Sequence, residues 1–171
     1  MSLHNRIRYQ RLLREAEGYL ELGLPQLAIQ TLEKIDEPGT FRGIQLYLLG
    51  EAFRAQGRFA EAIEALEASA DKKPSKIDIY LALGWCYKRT GRLDRAIEAL
   101  EKALAIDAKQ AILHYNLACY WSLNGDKRRT CDYLSEALRL DPDYRDLIAG
   151  ESDFDPVRED PEFQSLTSVT V

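Results

Sequence analysis

One offset constrains this chain more than any other feature. "GRFAEAIEALEASA" begins at Gly57 and "GRLDRAIEALEKAL" at Gly91, 34 residues apart, with eight of fourteen positions identical. The same spacing links Gly23, Gly57, Gly91 and Gly125. It also links Ala28, Ala62, Ala96 and Thr130, then Leu32, Leu66, Leu100 and Leu134, then Tyr19, Phe53, Tyr87 and Trp121. Four columns in register at one period imply a tandem array whose units cannot bury their apolar faces alone. The copies fit as 9–42, 43–76, 77–110 and 111–144.

Within a copy the apolar spacing is helical. Tyr80, Leu83, Gly84 and Tyr87 fall on one helix face, and Leu93, Ala96, Ile97, Leu100 and Leu104 on another, with Gly91 between them as a turn. Small residues at Gly50, Gly84 and Ala118 suit close helix pairs, and Pro74 and Pro142 fall near repeat boundaries. The pattern predicts helices near 5–22, 25–36, 40–56, 59–72, 75–90, 93–106, 109–124 and 127–140, with short helices after 143.

The remaining composition excludes several classes. No apolar run is long enough to span a bilayer, so no membrane segment is expected. The N-terminal "MSLHNRIR" has no signal-peptide core. Three cysteines without a CxxC motif suit a reducing compartment, and the expected location is the cytoplasm. The net charge is −5, and residues 145–171 alone hold seven acidic and two basic side chains. No basic stripe marks a nucleic-acid binder, and no nucleic-acid partner is expected.

These residues resemble the tetratricopeptide repeat, a helix–turn–helix family. Leu49-Gly50, Phe53, Ala62 and Pro74 follow its pattern, as do Leu83-Gly84, Tyr87 and Ala96, although Ala108 replaces the usual proline. The fourth copy keeps Leu117, Ala118 and Pro142, with Thr130 in the small-alanine column. In the first copy Glu15 and Ala16 replace the Leu-Gly pair. The resemblance implies an all-α, right-handed superhelical solenoid with a concave groove lined by the first helix of each repeat. It divides the chain into a lead-in at 1–8, four repeats over 9–144, and an acidic C-terminal cap and tail at 145–171. The cap's apolar residues Phe154, Val157, Phe163 and Leu166 are expected to cover the last hairpin, and the terminal "TSVTV" to fray.

The family's groove columns map onto Gln10, Ile44, Asp78 and Ile112; Leu13, Tyr47, Leu81 and Tyr115; Glu17, Glu51, Trp85 and Cys119; Leu20, Arg54, Lys88 and Ser122; and Glu21, Ala55, Arg89 and Leu123. The expected partner-binding residues are Tyr47, Glu51, Arg54, Leu81, Trp85, Lys88, Arg89, Ile112, Tyr115 and Cys119. Trp85 admits two readings: a ligand-facing anchor, or packing on an adjacent helix or on the C-terminal segment. The carboxylate clamp of chaperone-binding members maps onto Leu13, Glu17, Leu48, Asp78 and Ala82, or onto Tyr47, Glu51, Ala82, Ile112 and Asn116. Neither set matches, so chaperone tails are not expected.

No catalytic, cofactor-binding or metal-binding constellation is expected. His114 shares a packing column with Leu12, Leu46 and Tyr80 and reads as structural, and the cysteines read as small apolar groups. The implied function is a non-enzymatic module that binds a protein or peptide in its groove. The alternatives are a self-assembling or chaperone-like scaffold, a homodimer included, and a regulatory subunit of a larger complex.

Overall fold

The computed structural model describes residues 2–168. All regular structure among them is helical. The helices are α1 Leu3–Glu21, α2 Pro25–Leu32, α3 Arg42–Ala55, α4 Phe59–Lys72, α5 Ile77–Arg89, α6 Leu93–Ile106, α7 Ala111–Leu123, α8 Lys127–Leu140, α9 Arg145–Ile148 and α10 Pro161–Thr167. Short 3₁₀ turns cover Gly39–Phe41, Pro142–Tyr144 and Ser152–Val157. The chain divides into two compact units, Met1–Thr90 and Gly91–Val171.

The period is written into the backbone of the turns. Gly57 has φ +72°, a left-handed conformation that a Cβ disfavours, and Gly23, Gly91 and Gly125 repeat it at +70°, +73° and +79°. At Gly57 the turn closes with two bonds: the Arg58 amide donates to the Phe53 carbonyl at 2.9 Å, and the Gly57 amide to Arg54 at 3.0 Å. This pair satisfies carbonyls that the helix end would otherwise leave open. The Arg58 guanidinium then lies 4.4 Å from the centre of the Phe53 ring, closing the turn from outside.

In the first unit α1 packs on α2, and α3 packs on both α2 and α4. Tyr9, Leu12, Ala16, Ala28, Leu32, Leu48 and Ala52 are buried together. Gly50 explains how close α3 and α4 come. A Cβ at this position would lie 2.5 Å from Cγ of the fully buried Leu66. Ser69 adds a buried bond, its hydroxyl donating to the Gly43 carbonyl at 2.7 Å.

The helix α2 stops at Leu32, earlier than the expected 36. The buried Gln45 side chain donates to the carbonyls of Leu32 at 2.9 Å and Ile35 at 3.1 Å. That amide replaces the helical bonds a longer α2 would have made. Pro38 also disfavours a helical Glu37.

In the second unit α7 packs on α6 and α8, and the Ser152–Val157 turn packs on α7. Here Ile148, Phe154, Val157 and Phe163 are buried. Phe154 and Phe163 stack with centroids 5.4 Å apart. Arg145 donates to the Leu166 carbonyl at 3.0 Å, and Arg158 to the Glu151 carbonyl at 2.7 Å, tying the segment to itself. The frayed end expected over 167–171 falls mostly outside the described residues; Thr167 itself closes α10.

Two residues of one packing column do the same work. The Tyr80 hydroxyl donates to the Pro74 carbonyl at 3.0 Å, and His114 Nε2 bonds the Ala108 carbonyl at 2.8 Å. Both bonds reach back six residues to the loop that precedes the helix. The His114 imidazole is 8% exposed and packs beside Tyr133. It is a loop tie in the place where Tyr80 is another.

Candidate functional site

The first unit carries two linked features on the first-helix face of its repeats. One is a cleft of about 460 Å³ lined by Gln10, Leu13, Arg14 and Glu17 from α1, Phe41, and Ile44, Tyr47 and Leu48 from α3, with Lys76 at its edge. Lys76 Nζ sits 4.4 Å from the centre of the Tyr47 ring. Burial pushes the Tyr47 hydroxyl up to about 12, with Glu51 and Asp78 adding to the shift. A neutral phenol in a cleft of this volume suits an apolar or aromatic side chain.

The other feature is a cluster around Trp85 on α5, whose indole is 37% exposed. Phe59, from the start of α4, meets it edge-on at 5.4 Å. The guanidinium of Arg54 lies 5.2 Å from the indole centre and that of Arg89 lies 5.7 Å away. Arg89 is also 5.7 Å from the Phe59 ring. Arginine on an aromatic face is held by the ring quadrupole and keeps its N–H edge for an acceptor.

Glu51 and Arg54 connect the two features along α3. Arg54 forks onto Glu51 with bonds of 2.9 and 2.8 Å, which raises its pKa. The Cys86 thiol behind them is buried, and burial pushes it up to about 11, away from reactive thiolate chemistry. Of the expected partner-binding residues, Tyr47, Glu51, Arg54, Leu81, Trp85, Lys88 and Arg89 all lie in this unit. Leu81 and Lys88 are half-buried, whereas Arg89 is exposed.

The other three expected residues lie on α7 in the second unit. Ile112 is half-buried, whereas Tyr115 is 5% exposed and Cys119 2%. Tyr144 stacks on Tyr115 at 4.8 Å and Phe154 meets it edge-on at 5.7 Å. The C-terminal segment therefore occupies the face that the repeat columns assign to a ligand at Tyr115. A ligand could reach that tyrosine only by displacing the segment. Burial raises the Tyr115 hydroxyl pKa, and the oxygen has no hydrogen-bond partner among the described residues.

Sequence reasoning missed Phe59, Arg14 and Lys76. Phe59 had a signal: it is the aromatic in a column shared with Pro25, Leu93 and Lys127. Lys76 had none, because it lies in an inter-repeat loop whose path no periodicity dictates. Two clusters of metal-type donors also form in the second unit. Cys119, Glu151 and Asp153 make one, and Cys131, Asp160 and Glu162 the other, each with donor atoms within 4.8 Å of one another. In the second cluster Asp160 already accepts the amides of Glu162 and Phe163 and pairs with Lys127 at 3.5 Å.

The helix–turn–helix period, the left-handed glycine turns and the all-helical content define a helical-repeat protein. Residues 53–118 match the tetratricopeptide repeat family profile. Solved structures agree. A crystal structure of MamA is 27% identical, with a TM-score of 0.73 and 81% of each chain covered. A second MamA crystal structure is 26% identical, with a TM-score of 0.71, covering 82% of this chain and 76% of that one. YrrB, described as a TPR protein with an unusual peptide-binding site, is 19% identical with a TM-score of 0.68, covering 75% of this chain and 66% of its own. This last likeness is one of fold. No curated protein matches the chain by sequence. No helix among the described residues is long and apolar enough to cross a membrane.

Proposed function

We propose that the chain is a non-enzymatic interaction module, and that the first-helix face of its first unit binds a peptide or a helix of a protein partner. The observation that carries this reading is the Trp85 cluster. A large indole stands 37% exposed between two arginines, beside a cleft lined by Leu13, Ile44 and Tyr47. Core packing does not need this indole outward, because Leu83, Gly84, Cys86 and Tyr87 bury the other faces of α5. Tryptophan and arginine dominate binding hot spots, and a half-covered indole with guanidiniums beside it is preorganised for contact. Tyr47, Glu51, Arg54, Leu81, Lys88 and Arg89 complete the surface. The expected setting is the cytoplasm.

The test is a pull-down with wild type and Trp85→Ala, paired with a thermal melt of each. Loss of the captured partner with an unchanged melt supports the reading. Full capture by a destabilised variant assigns Trp85 to stability alone and overturns it.

A further inference from the structure

Tyr47 and Tyr115 occupy the same column, 68 residues or two repeats apart. In the second unit the structure records what settles on that column. Phe154 and Tyr144 cover Tyr115, and Phe154 has no exposed surface at all. The segment that delivers these rings is acidic, with seven acidic and two basic residues over 145–171. Asp155, Glu159 and Glu162 on it stay exposed, and α7 offers them no lysine or arginine. The second unit is closed by the aromatic groups of its cap, while Asp155 pairs with Arg158 of the cap itself at 2.7 Å and Asp160 with Lys127 of α8 at 3.5 Å.

The first unit has the opposite inventory. Its column is open, since Leu13 and Tyr47 line the cleft. Around that column stand Arg14, Arg54, Lys76, Lys88 and Arg89 against Glu17, Glu51 and Asp78. Arg54 is committed to Glu51, and Lys76 pairs with Asp78 at 3.8 Å. Arg89 is held by two aromatic rings, and Arg14 by the Gln10 carbonyl at 3.4 Å. Neither meets a carboxylate among the described residues. A guanidinium braced against a ring presents its outer edge, which matches a carboxylate with two parallel N–H bonds.

We propose that this face selects an acidic peptide segment bearing an aromatic anchor, the chemistry the chain's own cap displays in the second unit. The inference rests on the reading that the face is a partner-binding surface, and it names the ligand class. The aromatic side chain enters the cleft against Leu13, Ile44 and Tyr47. Flanking carboxylates meet Arg14 at one end and Arg89 beside Trp85 at the other. Electrostatic attraction then contributes strongly to the association rate and makes it salt-dependent.

The experiment pans a phage-displayed library of random peptides on the immobilised wild-type chain. Recovered peptides are synthesised, labelled and titrated by fluorescence anisotropy against wild type, Trp85→Ala and Arg89→Glu at low and high salt. The expected result is a set of peptides with Phe, Tyr or Trp flanked by Asp or Glu. Their affinity falls about tenfold or more on Arg89→Glu, in keeping with loss of a charge-assisted pair, and falls with salt. Peptides that need Trp85 but are neutral or basic overturn the ligand class and leave the binding surface standing. Recovery of no Trp85-dependent peptide overturns both. Circular dichroism of each variant excludes unfolding as the cause of a loss.

Discussion

Replacing Phe154 with alanine tests how the second unit is closed. The ring is fully buried, edge-on to Tyr115 at 5.7 Å and stacked with Phe163 at 5.4 Å. Truncating a buried phenylalanine removes its transfer free energy and leaves a cavity, at a cost of about 3–5 kcal/mol. Whole domains are stable by only ~5–15 kcal/mol, so a large share is at stake. The two tryptophans permit a clean assay, because Trp85 lies in the first unit and Trp121 in the second. In a Trp85→Phe background, Trp121 alone reports on the second unit; it is 9% exposed, with Arg129 4.2 Å from its ring centre. Urea unfolding followed by Trp121 emission should show the midpoint falling sharply in Phe154→Ala. Emission should also redden as the cap loosens. A loss below about 1 kcal/mol would mean that the segment rests on α7 without closing the unit, and the reasoning about the cap would fail.

Gly50→Ala should destabilise the first unit by about 1–3 kcal/mol, because the new methyl collides with the buried Leu66; an unchanged urea midpoint would show that α3 and α4 are not so closely packed. Removing residues 151–171 should lower the melting temperature and solubility by exposing the Tyr115 face, and a truncated chain that melts as before would make the segment a mere tail. The Tyr47 hydroxyl titrates at about 12 in the folded chain and near 10 when unfolded, so the unfolded state ionises first. Its stabilising contribution is complete below pH 10 and is lost as the pH rises toward 12, and Tyr47→Phe should flatten that alkaline loss in melts taken across this range.

The repeat was legible because it is local chemistry repeated. Each turn needs a residue with positive φ at one position, so Gly23, Gly57, Gly91 and Gly125 mark it directly. The helices between them follow, and α4, α6 and α8 begin and end where the pattern puts them. What the period could not carry was contact between distant segments. Gln45 ends α2 by reaching back to Leu32 and Ile35, and no spacing within α2 announces it. Tyr115 read as ligand-facing from its column. The residues that cover it lie 29 and 39 positions later, in a segment with no repeat to align. Trp85 was legible as an outward indole, because its neighbours already filled the core. Its setting was not, since Phe59 and Arg54 reach it from other helices.

The central claim is that Trp85 lies inside the partner-binding surface, and its own emission tests this most directly. In a Trp121→Phe background Trp85 is the sole tryptophan, and its half-exposed indole is free to respond to a ligand. A Trp85-dependent peptide recovered by panning is titrated in while emission is recorded. The account predicts a blue shift that saturates with the same midpoint as anisotropy measured on the labelled peptide, as the ligand excludes water from the ring. Saturable binding by anisotropy with Trp85 emission unmoved would place the ligand elsewhere and contradict the account.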